Sequence, residues 1–183
     1  MVKYSEQICI QRASTDDIQS LHQILIACGL DLNKRFGLSH WIPPNYPLEQ
    51  MIQDGMENEV YAVIINGDLV GTFTLEITTI VPYSYAKYGK IVWQISNIMA
   101  VYVHKLAILP TWQGKGLGSK CIQAIEKLAI DRSCYSVRLD GVKTHSNLLS
   151  FYKNRGYQPV GELTYNSDVW VDAIVFEKVL VSC

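Results

Sequence analysis

Strands and helices intermingle along this 183-residue chain in the rough order βααβββαβαββ, which predicts one α/β (α+β) domain with helices flanking a mixed, mostly antiparallel sheet. Three observations carry that expectation. With 49% apolar residues the chain is long enough for one core and too short for two ordinary domains, so residues 1–183 are expected to form a single domain. Asn66-Gly67-Asp68 is tight-turn chemistry between two β-rich runs. A glycine-rich stretch, QGKGLG at 113–118, sits between a strand ending near Leu109 and a helix beginning near Gly118.

Each element has its own signal. Ile8 and Ile10 alternate with polar residues and read as a strand. Ser14 or Thr15 then offers an N-cap to a helix whose apolar stripe is Ile18, Leu21, Ile24 and Leu25. Consecutive prolines in LSHWIPPNYP break regular structure, and Pro47 can open a short second helix. EVYAVIING and DLVGTFTLEIT form the hairpin, whereas IVPYSYAKYGKIVWQISN reads as mostly loop or irregular edge. IMAVYVHKLAIL is a long strand stopped by Pro110. After the glycines, Ile122, Ile125, Leu128 and Ala129 share one helical face. YSVRLDGV is a strand, NLLSFYKNR a short helix ended by Gly156, and YQPVGELT and DAIVFEKVL are closing strands.

Composition excludes several classes of function. A net charge of −1 with scattered Lys and Arg lacks the basic stripe of a nucleic-acid binder. Five cysteines, far apart and without a C-x-x-C pair, indicate neither a zinc site nor a disulfide framework, and no metal is expected. Without an apolar run of about 20 residues or a signal-like N-terminus, a cytoplasmic protein with no membrane association is expected.

QGKGLG lies where unpaired helical N–H groups and the positive end of the helix dipole meet, which suits an anion. A Walker loop needs Lys-Ser/Thr after its last glycine, and that pair is missing. A Rossmann turn needs G-x-G-x-x-G, and here the third glycine comes one residue early with no opening βαβ unit around it.

LAILPTWQGKGLG resembles the pyrophosphate-binding motif of the GNAT acetyltransferase superfamily, with its Q/R-x-x-G-x-G/A core at Gln113, Gly116 and Gly118. FYKNRGY resembles the family's tyrosine-bearing helix, and the two stretches cover about residues 100–160. The resemblance implies a single N-acetyltransferase domain over 1–183 whose sheet splays between its fourth and fifth strands, with acetyl-CoA (coenzyme A) as co-substrate. It further implies that the pyrophosphate meets the backbone of Gln113, Gly114, Lys115, Gly116, Leu117, Gly118 and Ser119, and that the pantetheine arm lies along Leu106, Ala107 and Ile108. An N–H near Ile108 is expected to face the thioester carbonyl.

Tyr152 matches the tyrosine that serves relatives as acid or sulfur contact. His104 stands where many relatives carry a glutamate that accepts the amine proton, and imidazole suits that task. His104 fits equally a half-buried strand residue, and Tyr152 a core aromatic. The position of an arm-contacting family asparagine is His145, with Asn147 two residues later; either can make the contact.

His40, Trp41, Tyr46 and Tyr83 are candidates to line a slot for a small primary amine, or to pack a loop onto the body. Asp31, Glu49 and Glu76 are scattered, so a strongly cationic acceptor is not favoured. The expected activity is acetyl transfer by direct attack of the amine, in a monomer or homodimer. The alternative is a catalytically silent acyl-CoA-binding or sensor module.

Overall fold

The computed structural model describes residues 8–46, 48–166 and 170–180. Its elements follow in the order β1 (Ile8–Arg12), α1 (Ile18–Phe36), α2 (Leu48–Glu57), β2 (Glu59–Ile65), β3 (Asp68–Thr78), α3 (Tyr83–Tyr88), β4 (Gly89–Ile91), β5 (Ala100–Ile108), α4 (Leu117–Asp131), β6 (Ser136–Val142), α5 (Ser146–Lys153), β7 (Gln158–Asn166) and β8 (Trp170–Val179). The strands form one eight-stranded sheet in the order β1-β2-β3-β5-β6-β8-β7-β4. Every neighbouring pair is antiparallel except β5 and β6. Two short 3-10 turns, Thr15–Asp17 and Pro110–Trp112, complete the set.

Period-two patterning divides the core between the two faces of the sheet. Phe73, Leu75, Val101 and Val103 meet Ile122, Ile125 and Ala129 of α4 on one face. Val60, Ala62 and Ala107 meet Leu21, Ile24, Leu25 and Met51 of α1 and α2 on the other. Leu21, Leu25 and Ile125 are completely buried, each contributing about 1.5–3 kcal/mol through removal from water. The stripe read from the sequence is the buried stripe of α1. Asp17 secures that helix's entry by accepting from both the N–H and hydroxyl of Ser14 at 2.8 Å. Pro47 lies outside the described residues, as does Cys183; the four described cysteines are free thiols.

One segment differs from its expected form. The tyrosine-rich run after Thr78 holds α3 and the edge strand β4 rather than a loop. Tertiary packing overrides weak local propensity here: Tyr85 is 2% exposed inside a cluster with Tyr102, Leu163 and Val175, and β4 pairs with Leu163, Glu162 and Gly161 of β7. The expected divergence of the fourth and fifth strands therefore falls, with β4 counted, between β5 and β6.

A buried ion pair anchors the sheet beneath that divergence. Arg138 of β6 donates to Glu177 of β8 at 2.8 Å and to the Tyr102 hydroxyl at 2.6 Å, with its guanidinium 4.0 Å from the centre of the Trp93 ring. Both charged side chains are at most 2% exposed, and the attraction is offset by desolvation unless every donor finds a partner. Here Ile95 O takes a further guanidinium N–H at 2.5 Å. No helix among the described residues is long and apolar enough to cross a membrane.

Candidate active site

The site begins with an irregularity in β5. Thr72 pairs with Ala107 and Thr74 with His104, so two steps of β3 face three of β5. The extra residue makes a bulge at which Lys105 adopts a left-handed φ of 54°. A bulge bends and twists its strand. Below it β5 pairs in parallel with β6 from Ala100 to Tyr102, and beyond Tyr102 the ladder stops. A non-glycine residue pays on the order of 1–2 kcal/mol for such a φ. The Lys105 side chain offsets this: its ammonium lies 2.7 Å from Asp54 and 5.0 Å from the centre of the Tyr46 ring.

Burial alone would raise the Asp54 carboxyl, but Lys105 and hydrogen bonds from Lys105, Gln50 and Tyr46 hold it below its ordinary value. Tyr46 is pushed upward, first by burial and then by the Asp54 charge.

At the far end of β5 the chain enters the glycine turn. Gly114 and Gly116 have φ of 76° and 81°, and a β-carbon on either would meet nothing within 4 Å. Their identity is dictated by backbone conformation. Gly118 is different: a β-carbon there would lie 3.1 Å from the Phe151 ring, so it lets α4 pack closely on α5. Gln113 N–H is used on Pro110 O (3.3 Å) and Ser119 N–H on Gly116 O (3.1 Å), which narrows the candidate anion donors to the stretch between them. Ser119 Oγ is further engaged by Arg155, whose guanidinium stacks over the Phe151 ring at 3.6 Å. Lys115 is drawn over the Trp112 ring at 4.4 Å.

Ile108 closes the strand with its carbonyl occupied. The Cys28 thiol donates to it at 3.2 Å and the Gln113 side-chain amide at 2.9 Å. A carbonyl has two lone pairs, so what Ile108 can offer a ligand is its N–H. Burial pushes the Cys28 thiol up to about 12, which keeps it a neutral donor.

A cavity of about 490 Å³ opens where β5 and β6 diverge, and His104, Lys105, Leu106, His145 and Tyr152 line it. His104 Nε2 lies 3.2 Å from Glu76 Oε2. A carboxylate only accepts, so neutral His104 carries its proton on Nε2 and its free lone pair on Nδ1. Tyr152 is 4% exposed, and burial, then the Asp140 charge, pushes its phenol well above the usual value. It therefore stays protonated throughout the neutral range. His145 caps α5, its Nδ1 accepting from Leu148 N–H at 3.2 Å. That bond places the imidazole proton on Nε2, and burial followed by the Arg35 charge lowers its pKa, favouring the neutral ring.

Other expected site residues divide. His40 and Trp41 line the cavity, the loop being brought against α1 because a β-carbon at Gly29 would lie 2.8 Å from Trp41 O. Burial lowers the His40 pKa against the opposing pull of Asp140. Tyr83 does not line the cavity: it is 69% exposed, because α3 turns Tyr85 inward and presents Ser84 and Tyr88 to the site. Asn147 is exposed on α5 and outside the lining, since His145 takes the capping position.

Three carboxylates converge where the sequence suggested scatter. Asp54, Glu76 and Asp140 all line the cavity, whereas Asp31 pairs with Arg35 at 2.5 Å and Glu49 lies exposed on α2. Asp140 and its partners Tyr85 and Tyr165 stand in or beside this wall without being among the residues the sequence pointed to. The available signals were a lone carboxylate inside the β-rich run of β6, and the polar period Thr72, Thr74, Glu76 alternating with Phe73, Leu75, Ile77 along β3.

Known proteins share this fold. Residues 20–157 match the acetyltransferase (GNAT) family, and the chain belongs to that family. A Bos taurus thialysine N-epsilon-acetyltransferase is 28% identical over 83 residues, 45% of this chain and 47% of the bovine protein, so the match spans about half of that relative. A GNAT-family acetyltransferase structure from Streptococcus agalactiae 2603 superposes with a TM-score of 0.76 at 17% identity, covering 96% of each chain. Arabidopsis thaliana NAA60 in complex with acetyl-CoA superposes at 0.68 and 17% identity, covering 95% of this chain and all of that one.

Proposed function

We propose that the protein moves an acetyl group from acetyl-CoA to a primary amine. One observation carries the proposal: the unpaired part of β5 joins an N–H-rich turn at one end to a cavity holding the His104–Glu76 pair at the other. The residues present fit coenzyme A. The N–H groups between Gly114 and Gly118 suit a pyrophosphate, and the free edge at Leu106 with the Ile108 N–H suits an amide-bearing arm, while Ala107 pairs with Thr72 of β3. When bound, the thioester supplies an activated acyl carbon.

The chain's own residues handle protons and placement. An amine with a pKa of about 10 is almost wholly protonated at neutral pH, so Nδ1 of His104 is positioned to remove its proton while Glu76 orients the ring and stabilises imidazolium. Tyr152 supplies a proton toward the departing sulfur. The relatives' names as N-epsilon-acetyltransferases support nitrogen as the acceptor atom.

The test is release of free thiol from acetyl-CoA with a panel of primary amines, with acetylated products identified by mass spectrometry. Amine-dependent release is expected. Coenzyme A binding without release for any amine overturns the transferase in favour of a silent binding module, and absence of both overturns each reading.

A further inference from the structure

The cavity carries more negative charge than its walls neutralise. Three carboxylates, Asp54, Glu76 and Asp140, line it against one ammonium, Lys105, which is committed to Asp54 at 2.7 Å. Glu76 has the imidazole of His104, and Asp140 has no cationic partner among the described residues. Two phenols hold Asp140 instead: Tyr85 and Tyr165 donate to the same oxygen, Oδ1, at 2.7 and 2.8 Å. That geometry fixes the carboxylate and leaves Oδ2 as an acceptor.

Thr74 makes an independent case for a ligand here. It is 1% exposed, stands opposite His104 in the ladder and lines the cavity, yet its Oγ1 is buried without a hydrogen-bond partner. His40 Nδ1, in the same wall, is likewise buried and unpartnered. Interior polar groups are rarely left so, and here two of the three such atoms among the described residues stand in the wall of one cavity, where a ligand or its water would satisfy them, the third being Ser136 Oγ outside it.

Tyr85 sets the spacing. Its ring meets that of His104 at a centroid distance of 6.3 Å, and its hydroxyl reaches Asp140. Trp41, Tyr88 and Tyr165 add aromatic wall, which accommodates an apolar spacer and a cation.

We propose that Asp140 determines acceptor specificity: the substrate is a primary amine with a second, positively charged nitrogen on a short apolar spacer. One nitrogen is presented to His104 and the other binds Asp140 Oδ2. This inference rests on the transferase reading above.

Rates of thiol release are measured with acetyl-CoA and two matched series, the alkane diamines from propane to hexane and the monoamines of equal length. The best diamine is expected to exceed its monoamine at least tenfold in kcat/KM, the effect of one additional charge-assisted contact (~10-fold or more). Asp140→Asn keeps an oxygen for Tyr85 and Tyr165 but removes the charge. It is expected to bring that ratio close to one, mainly through the diamine KM. Calorimetry of acetyl-CoA binding verifies that the variant is folded, and the native comparison stands without it. Equal use of both series by the native enzyme overturns the inference alone, as does a preference that survives Asp140→Asn. No release with any amine overturns the transferase reading and this one together.

Discussion

The two ends of the cleft are made of different material. The end proposed for the donor is backbone: the left-handed turn at Gly114 and Gly116, the head of α4 and the unpaired edge of β5. The end proposed for the acceptor is side chains, with Asp54 from α2, Glu76 from β3, His104 from β5, Asp140 from β6 and Tyr165 from β7. A backbone site demands particular residues at consecutive positions. A side-chain site demands only that topology bring distant positions together, so its members are free to vary in kind and spacing.

The sharpest way to separate the two ends is His104→Ala. Loss of a general base lowers kcat by about 10²–10⁴-fold. Acetyl-CoA affinity is expected to stay within about twofold, because the proposed contacts to the donor do not use this side chain. Steady-state rates beside calorimetry check this. A parallel collapse of both quantities would show that the ends are not independent.

Next in size is Glu177→Ala, which strips Arg138 of its buried partner beneath the point where β5 and β6 part. Breaking such a pair costs about 3–5 kcal/mol. For a chain of this length the expected loss is roughly 10 °C in Tm. Both ends should weaken together as the folded fraction falls, which thermal melts and rates on one sample will show. Replacing both partners by apolar residues should recover much of the loss.

The same division explains what could be read from the sequence. The turn was legible because left-handed φ values confine Gly114 and Gly116, and FYKNRGY placed Tyr152 on its helix. Strand alternation gave the hairpin and most of the sheet. The acceptor end was not legible: Glu76 and His104 lie 28 positions apart, and Tyr85 and Asp140 lie 55 apart. Tyr83 reads from the sequence as a wall residue, yet it lies outside the cavity because its helix, built from tyrosines with weak local preference, exists through the packing of Tyr85.

Gly116→Ala probes the donor end. The new methyl group meets nothing, so the cost is conformational, about 1–2 kcal/mol for a left-handed φ. If the turn relaxes, its N–H groups lose their alignment, and acetyl-CoA affinity is expected to fall roughly tenfold. The amine KM should hold. Gly118→Ala instead presses on Phe151 and should register first in stability.

The smallest effect lies where the two ends meet, at Lys105. Its backbone forms the bulge that frees the β5 edge, and its side chain pairs with Asp54 in the cavity. The Asp54 carboxyl is held below its ordinary value when folded. Its contribution to stability is therefore fully present above the unfolded value of about 3.9 and is lost as pH falls through the lower folded value. Lys105→Met removes that contribution at neutral pH, at a cost of about 1 kcal/mol, so native and variant denaturation midpoints should differ at pH 7, begin to approach as pH falls below about 4, and meet only below the lowered folded value of Asp54. Lys105→Gly loses the ion pair but adopts the left-handed φ without strain, and should retain more acetyl-CoA affinity than Lys105→Met. Equal affinities in the two variants would show that the bulge is set by the sheet and not by this residue.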